Sequence, residues 1–302
     1  MNQQSTQGKG QYLTAAPMAT LAAEGIGADV QIIGVPFDST STYRTGSRFG
    51  PNAIREAFAN VEVYSHRLDV DLETLSVADA GNVRHTASVD QMVRAAGVTV
   101  AECLADGYVP AVLGGEHSIT YATFGAMPQG TALLLFDAHL DLRDEYSDLR
   151  LMHATFLRRL GEARPDLRVI HIGTRAATQE EWRVAQQRGY ALLRADQVSD
   201  GGREAGEWLR GALDGLDNIY VSIDLDGLDP AYAPGVANPE AGGLSTRALL
   251  ECLYALRGKN VVGFDIVELC PQSDPSGITA VAAARFLAEL CGIIHLNKQS
   301  AR

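Results

Sequence analysis

The chain has 302 residues with 37 acidic against 25 basic side chains, a formal charge of −12. That balance, with no basic run anywhere, excludes a surface built to neutralise nucleic-acid phosphates, which needs clustered Lys and Arg. At 46% hydrophobic and 21% charged residues, the composition excludes extended disorder and fibrous repeats and supports a large buried core.

Residues 1–10, rich in Gln, Ser and Gly, read as a mobile tail. The mildly apolar stretch 12–23 is broken by Pro17 and preceded only by Lys9, a poor signal peptide. From there the chain alternates short apolar runs with helical patterns, as in a parallel sheet covered on both faces. Eight strands are expected, at 30–35, 75–79, 109–113, 132–137, 168–172, 190–193, 218–224 and 261–269. Pro51 suits the first turn of a helix running through Ile54 and Phe58. Ser88 with Gln91, and Thr178 with Glu181, are capping-box pairs. Ser245 reads as the cap of another helix, ended by Gly258. The expected architecture is α/β: a tail and lead-in at 1–27, then a single three-layer α/β/α domain at 28–302 with an eight-stranded, mostly parallel sheet. No run approaches the roughly 18 uninterrupted apolar residues of a membrane span. The four scattered cysteines read as reduced thiols, so a cytoplasmic protein without membrane or nucleic-acid partners is expected.

In open α/β sheets ligands gather beyond the carboxyl ends of the strands, so polar residues there carry the most weight. The run 132–136 ends in Asp137-Ala-His139-Leu-Asp141. A spacing of two in extended backbone puts all three side chains on one side. Strand 218–224 ends in Asp224-Leu-Asp226, again on one side. Asp229, before Pro230, reads as a turn former or as support behind the ligands. After strand 109–113, Gly114 and Gly115 let the backbone turn and bring His117 over the sheet edge. Burying such a set of carboxylates is costly unless cations compensate it. Two histidines and four aspartates without thiolate suit Mn²⁺ or a similar divalent ion. Two such ions would balance the four charges and lower the pKa of a shared water, which is the requirement of a hydrolase.

The motifs Gly114-Gly-Glu-His-Ser118, Asp137-Ala-His-Leu-Asp141, Ser222-Ile-Asp-Leu-Asp-Gly-Leu-Asp-Pro230 and Gly263-Phe-Asp-Ile-Val-Glu-Leu269 resemble those of the ureohydrolase family, the arginases and agmatinases. The resemblance runs from about residue 30 to the last helix and is closest in motif to agmatinase. It implies an arginase-like fold, a homotrimer or hexamer, and two Mn²⁺ ions per subunit ligated by His117, Asp137, His139, Asp141, Asp224 and Asp226. It also marks His153 and Glu268 as catalytic or substrate-binding positions. Physically, Glu268 at a fourth strand end can bind a guanidinium bidentately, and the His153 imidazole can exchange protons at neutral pH. Asp141 is expected to relay a proton to the leaving amine. His66, His85, His171 and His295 read as surface or packing residues.

The implied reaction is hydrolysis of a small cationic guanidino compound to urea and an amine. The segment 142–152 lacks the Asn/Ser pattern of arginases, so agmatine, giving putrescine, is the first choice. Aminopropylagmatine, guanidinobutyrate, guanidinopropionate and arginine are the alternatives. Asp144, Glu145 and Asp148 are expected to attract a distal ammonium, whereas an inward Arg143 would favour a carboxylate. Two stretches depart from the commoner pattern: residues 152–155, Met-His-Ala-Thr where many agmatinases have Ser-His-Gly-Thr, and the middle of the loop 234–243. Residues 46–55 line the pocket entrance or pack as a helix start on the sheet. A metal-dependent amide deacetylase of related fold is the weaker reading, because the six-ligand set is complete.

Overall fold

Largely apolar runs of four to eight residues become the main strands here, and the amphipathic stretches between them become helices. A computed structural model describes residues 13–14 and 29–300; the tail expected at 1–10 lies outside the described residues. The elements are β1 (Leu13–Thr14), β2 (Val30–Val35), α1 (Gly50–Phe58), β3 (Tyr64–Ser65), β4 (Val70–Asp71), β5 (Val77–Val83), α2 (Val89–Ala105), β6 (Val109–Gly114), α3 (Ile119–Gly125), β7 (Ala132–Phe136), α4 (Phe156–Ala163), β8 (Val169–Thr174), α5 (Gln179–Gln187), β9 (Ala191–Arg194), α6 (Arg203–Ala212), β10 (Asn218–Asp224), α7 (Thr246–Tyr254), β11 (Asn260–Val267) and α8 (Ile278–Ser300).

Among the described residues one large sheet runs β1-β5-β2-β6-β11-β10-β7-β8-β9. The eight expected strands are parallel, and the short β1 adds to β5 in the antiparallel sense. Side chains alternate between the faces of each strand. In β7, Leu134 and Phe136 join the core under α1, α6, α7 and α8, while Leu133 and Leu135 join the core under α2 to α5. This burial on both faces explains why the strands read as continuous apolar runs.

Thr178 and Glu181 form the full capping box, and the Ser245 hydroxyl accepts the Ala248 N–H at 3.0 Å. Only half of the Ser88 box forms, because the Gln91 side chain turns to the Thr86 hydroxyl instead. α7 ends at Tyr254 rather than at Gly258, which takes φ 82° in the turn before β11. β5 runs on to Val83, past the polar Asp79 and Asn82. Both are tied to the buried Arg55, whose guanidinium reaches Asp79 at 2.8 Å and Asn82 at 2.6 Å. α8 is long and apolar enough to cross a membrane by length and composition alone, but 78% of its most apolar 18-residue stretch is buried inside the protein, so it is a core helix.

The sheet order has one consequence for chemistry. β6, β11, β10 and β7 are neighbours in that order, so four carboxyl ends far apart in sequence stand side by side.

Candidate metal centre

β6 runs into Gly115, Glu116 and His117. A Cβ on Gly115 would lie 1.8 Å from the Phe37 carbonyl oxygen. Glycine is therefore required for space, while Gly115 N and Glu116 N donate to Val35 O and Phe37 O at 2.9 and 2.7 Å. β7 stops at Phe136, so Asp137, His139 and Asp141 are not an extension of the strand, contrary to the spacing argument. Instead Asp137 Oδ1 accepts the His139 N–H at 2.6 Å, and Asp141 takes a left-handed φ of 50°. Glu268, directly after β11, has φ 67°. Left-handed backbone costs a non-glycine residue about 1–3 kcal/mol and clusters at functional sites.

The six expected ligands come together. His117, Asp137 and Asp141 form one group whose ligand atoms lie within 4.8 Å of one another, and Asp137, His139 and Asp226 form another. Asp137 belongs to both. Asp224 and Asp226 both reach the cavity, though not as successive residues of one strand: β10 ends at Asp224, whose Oδ1 accepts the Asp226 N–H at 2.8 Å and closes a tight turn. Asp224 then faces His117 Nδ1 at 3.1 Å and Asp226 faces His139 Nδ1 at 3.1 Å.

Burial works to lower the pKa of His117, but the Asp137 carboxylate beside it, with Asp141 behind, outweighs burial and lifts it to about 9. His139 is raised in the same way by Asp226 and Asp137 against its burial. Asp141 is pushed well above the carboxylate range by burial and the charge of Asp137, and Asp224 by burial and the charges of Asp226 and Asp137. This is the crowding that a divalent cation relieves.

His117 tests the fit. Its Nε2 lies 2.9 Å from Ser222 Oγ, and Ser222 Oγ donates to Asp265 Oδ1 at 2.5 Å. Ser222 must therefore accept from Nε2–H, which leaves Nδ1 with the lone pair in the neutral ring. Nδ1 lies 3.0, 3.5 and 3.1 Å from Asp137, Asp141 and Asp224, yet it is buried without a hydrogen-bond partner. A buried lone pair aimed among three carboxylates, in a set of nitrogen and oxygen donors, fits a divalent cation.

Several residues behind the ligands had no assigned role at the sequence level. Asp265 is fully buried and accepts from Ser222, Thr120, Thr123 and Tyr220. Its signal was a charge inside the apolar run of β11. His171 is indeed buried and packed, and its Nε2 holds the His139 carbonyl oxygen at 2.7 Å. The buried Glu116 accepts from Thr40, Ser41 and Ser118. Thr40 Oγ1 in turn accepts the His153 N–H at 3.2 Å, and Thr42 Oγ1 lies 3.2 Å from His153 Nε2. Arg175 donates to six carbonyl oxygens, including Asp226 and Glu240, both at 2.7 Å.

A cavity of about 420 Å³ opens above this floor, lined by His117, His139, Asp141, His153, Asp224, Asp226 and Glu268. Glu268 Oε1 accepts the His117 N–H at 2.8 Å, while Oε2 is buried without a partner. Burial, the largest cause, pushes the His153 pKa below the usual imidazole value. Arg143 lines the cavity as well, but none of the three loop acids does. Asp144 is taken by Arg159 at 2.6 Å, and Glu145 and Asp148 are exposed. The acids on the rim are Glu181 and Glu240. Of residues 46–55 none lines the cavity; they pack as a helix start, the second of the two expectations.

Comparison with known proteins identifies the family. Residues 28–292 match the arginase family. The agmatinase of Halalkalibacterium halodurans is 37% identical over 265 residues, covering 86% of this chain and 90% of that protein. The human mitochondrial guanidino acid hydrolase is 34% identical, covering 88% and 79%. The crystal structure of the agmatine ureohydrolase of Thermoplasma volcanium superposes with a TM-score of 0.87 at 32% identity, covering 97% and 98%. With a parallel sheet of this order and a cavity floored by histidines and aspartates, this chain belongs to the arginase family and is a ureohydrolase.

Proposed function

We propose that this enzyme hydrolyses agmatine to urea and putrescine with two Mn²⁺ ions held by His117, Asp137, His139, Asp141, Asp224 and Asp226. The observation that carries the reading is the pair of ligand groups sharing Asp137 beneath the unpartnered Oε2 of Glu268. When bound, such a pair of cations balances the carboxylates and lowers the pKa of a water it ligates.

The protein's own groups do the rest. Glu268 Oε2 accepts guanidinium N–H groups and orients the planar cation. Water adds to the guanidinium carbon, and the bond to the alkyl nitrogen breaks. That nitrogen leaves readily only once it is protonated, and in this reading Asp141 and His153, both lining the cavity, hold the proton. With its pKa lowered by burial, His153 is neutral at pH 7 and carries a proton only in passing. A guanidino acid is the second reading, favoured by the presence of Arg143 in the cavity wall. A homotrimer or hexamer and a cytoplasmic setting belong to the same proposal; the four cysteines, all free and buried, suit a reducing compartment.

Urea release is measured with agmatine, aminopropylagmatine, arginine, guanidinobutyrate and guanidinopropionate, with Mn²⁺, Zn²⁺ and Ni²⁺ varied. Agmatine with Mn²⁺ should lead. Asp137→Ala, which breaks both ligand groups, should lose bound metal and at least about 10³-fold in turnover. A variant that kept both would overturn the assignment.

A further inference from the structure

Resting on the agmatine reading, which leaves the far end of the substrate unassigned, we propose that Glu240 reads that end and makes the enzyme selective for guanidines carrying a second positive charge. The charges on the cavity rim are Arg143, Glu181 and Glu240. Two of them are already engaged. Glu181 Oε1 accepts the Leu142 N–H at 3.2 Å, and its Oε2 accepts the Thr178 N–H and hydroxyl, both at 2.8 Å. Arg143 lies over the Tyr146 ring at 4.7 Å, with its Nε 3.9 Å from Glu181 Oε2. These two opposite charges compensate each other within one wall.

Glu240 is different. Its side chain is 46% exposed, and its nearest charged neighbour is His139 Nε2 at 3.8 Å. The backbone beneath it is nevertheless fixed. Arg175 donates to Glu240 O at 2.7 Å and Ala241 O at 3.1 Å, and Asp229 Oδ2 accepts the N–H groups of Gly242 and Gly243 at 2.7 and 3.1 Å. A carboxylate on anchored backbone is pre-organised, so little ordering entropy is lost on binding a cation.

The charges then match one class of substrate. With the metal ligands balanced by their cations and Arg143 balanced by Glu181, the cavity retains Glu268 at the floor and Glu240 at the rim. An aminoalkyl guanidine brings one positive charge to each. A guanidino acid or arginine brings a carboxylate toward Glu240, and Arg143 could meet it only by leaving Tyr146 and Glu181. Unpaired like charge at a rim is a device of selectivity as much as attraction is.

The test compares agmatine, butylguanidine and guanidinobutyrate on the metal-loaded wild type, Glu240→Gln and Glu240→Asp, with metal content measured alongside. Butylguanidine keeps the reacting group and removes the distal charge. In Glu240→Gln the ratio of kcat/KM for agmatine over butylguanidine should fall about tenfold, mainly through KM, at unchanged metal content, and Glu240→Asp should restore part of it. A fall of less than threefold overturns the assignment. So does a fall with both substrates in step with lost metal, which would make Glu240 a support for His139. A wild-type preference for guanidinobutyrate that Arg143→Gln abolished would also overturn it, by moving the far-end contact to Arg143. Wild-type enzyme that released urea from none of the three would instead bring down the agmatine reading itself, and this proposal with it.

Discussion

At the floor of the cavity His117, Asp137, Asp224, Asp226 and Glu268 are each 3% exposed or less, whereas at the rim Tyr146 is 39% exposed and the side chains of Arg143 and Glu240 are 39% and 46% exposed. The floor is made of four neighbouring strand ends, where Asp137 and Asp224 accept the backbone N–H of His139 and Asp226, Asp226 accepts that of Ala138, and His117 is held by the buried Ser222. The rim is made of loops: Arg143 leans on Tyr146 and Glu181 on one side, and on the other the backbone around Glu240 is stitched down from below by Arg175 and Asp229. The difference separates two jobs. A floor that must gather four carboxylates is fixed by the sheet, and a rim that must discriminate between tails can change without disturbing it.

His153 stands between the two, and changing it tests the boundary with the largest effect. It is buried like the floor, yet it hangs from the loop residues Thr40 and Thr42. If it moves a proton, His153→Asn should lower kcat on the order of 10²-fold while metal content is unchanged. A loss under threefold would assign it to the rim. Ser222→Ala sharpens the floor side. Removing the acceptor for His117 Nε2–H frees the ring and leaves Asp265 one donor short, so Mn²⁺ affinity measured by calorimetry should weaken 10- to 100-fold. Unchanged affinity would mean that the floor owes nothing to the residues beneath it.

Much of the floor was legible in the sequence, and little of the rim was. Apolar runs on a doubly covered sheet locate the strands, and an aspartate or histidine just past such a run is visible as a candidate ligand. What no local pattern shows is which strand ends are neighbours. The adjacency of β6, β11, β10 and β7 is a property of the whole sheet, so the grouping of Asp224 with His117 and of Asp226 with His139 emerges only in three dimensions. Asp144, Glu145 and Asp148 illustrate the converse. Three acids on a loop looked like a cation trap, but Asp144 is neutralised by Arg159, fifteen residues on, and the other two face solvent. The place of Glu240 on the rim, near only the His139 ring among charged groups, has no local sequence pattern. β5 runs past the expected end at Asp79 because Asp79 and Asn82 are satisfied by the buried Arg55, which comes from α1.

The smallest effect concerns how firmly the rim is stitched down. Asp229, read from the sequence as a turn former, accepts N–H groups from Ala231, Gly242 and Gly243. These bonds, that to Ala231 foremost, hold its carboxyl below the ordinary aspartate range, and Arg175 adds to the effect. A folded-state pKa below the unfolded one means that the charge stabilises the fold above the unfolded value, about 3.9, and that this contribution disappears as pH falls through the lower folded value. Asp229→Asn keeps the shape and removes the charge. Because the group is partly solvated, the loss at pH 7 should be under about 1 kcal/mol, read as a lower urea midpoint at constant m. The gap between variant and wild type should narrow steadily from pH 5 downward. A constant gap would show that shape rather than charge anchors the loop. If charge does, a loosened loop holds Glu240 less firmly, and Asp229→Asn should lower the agmatine-to-butylguanidine ratio in the same direction as Glu240→Gln, but by less.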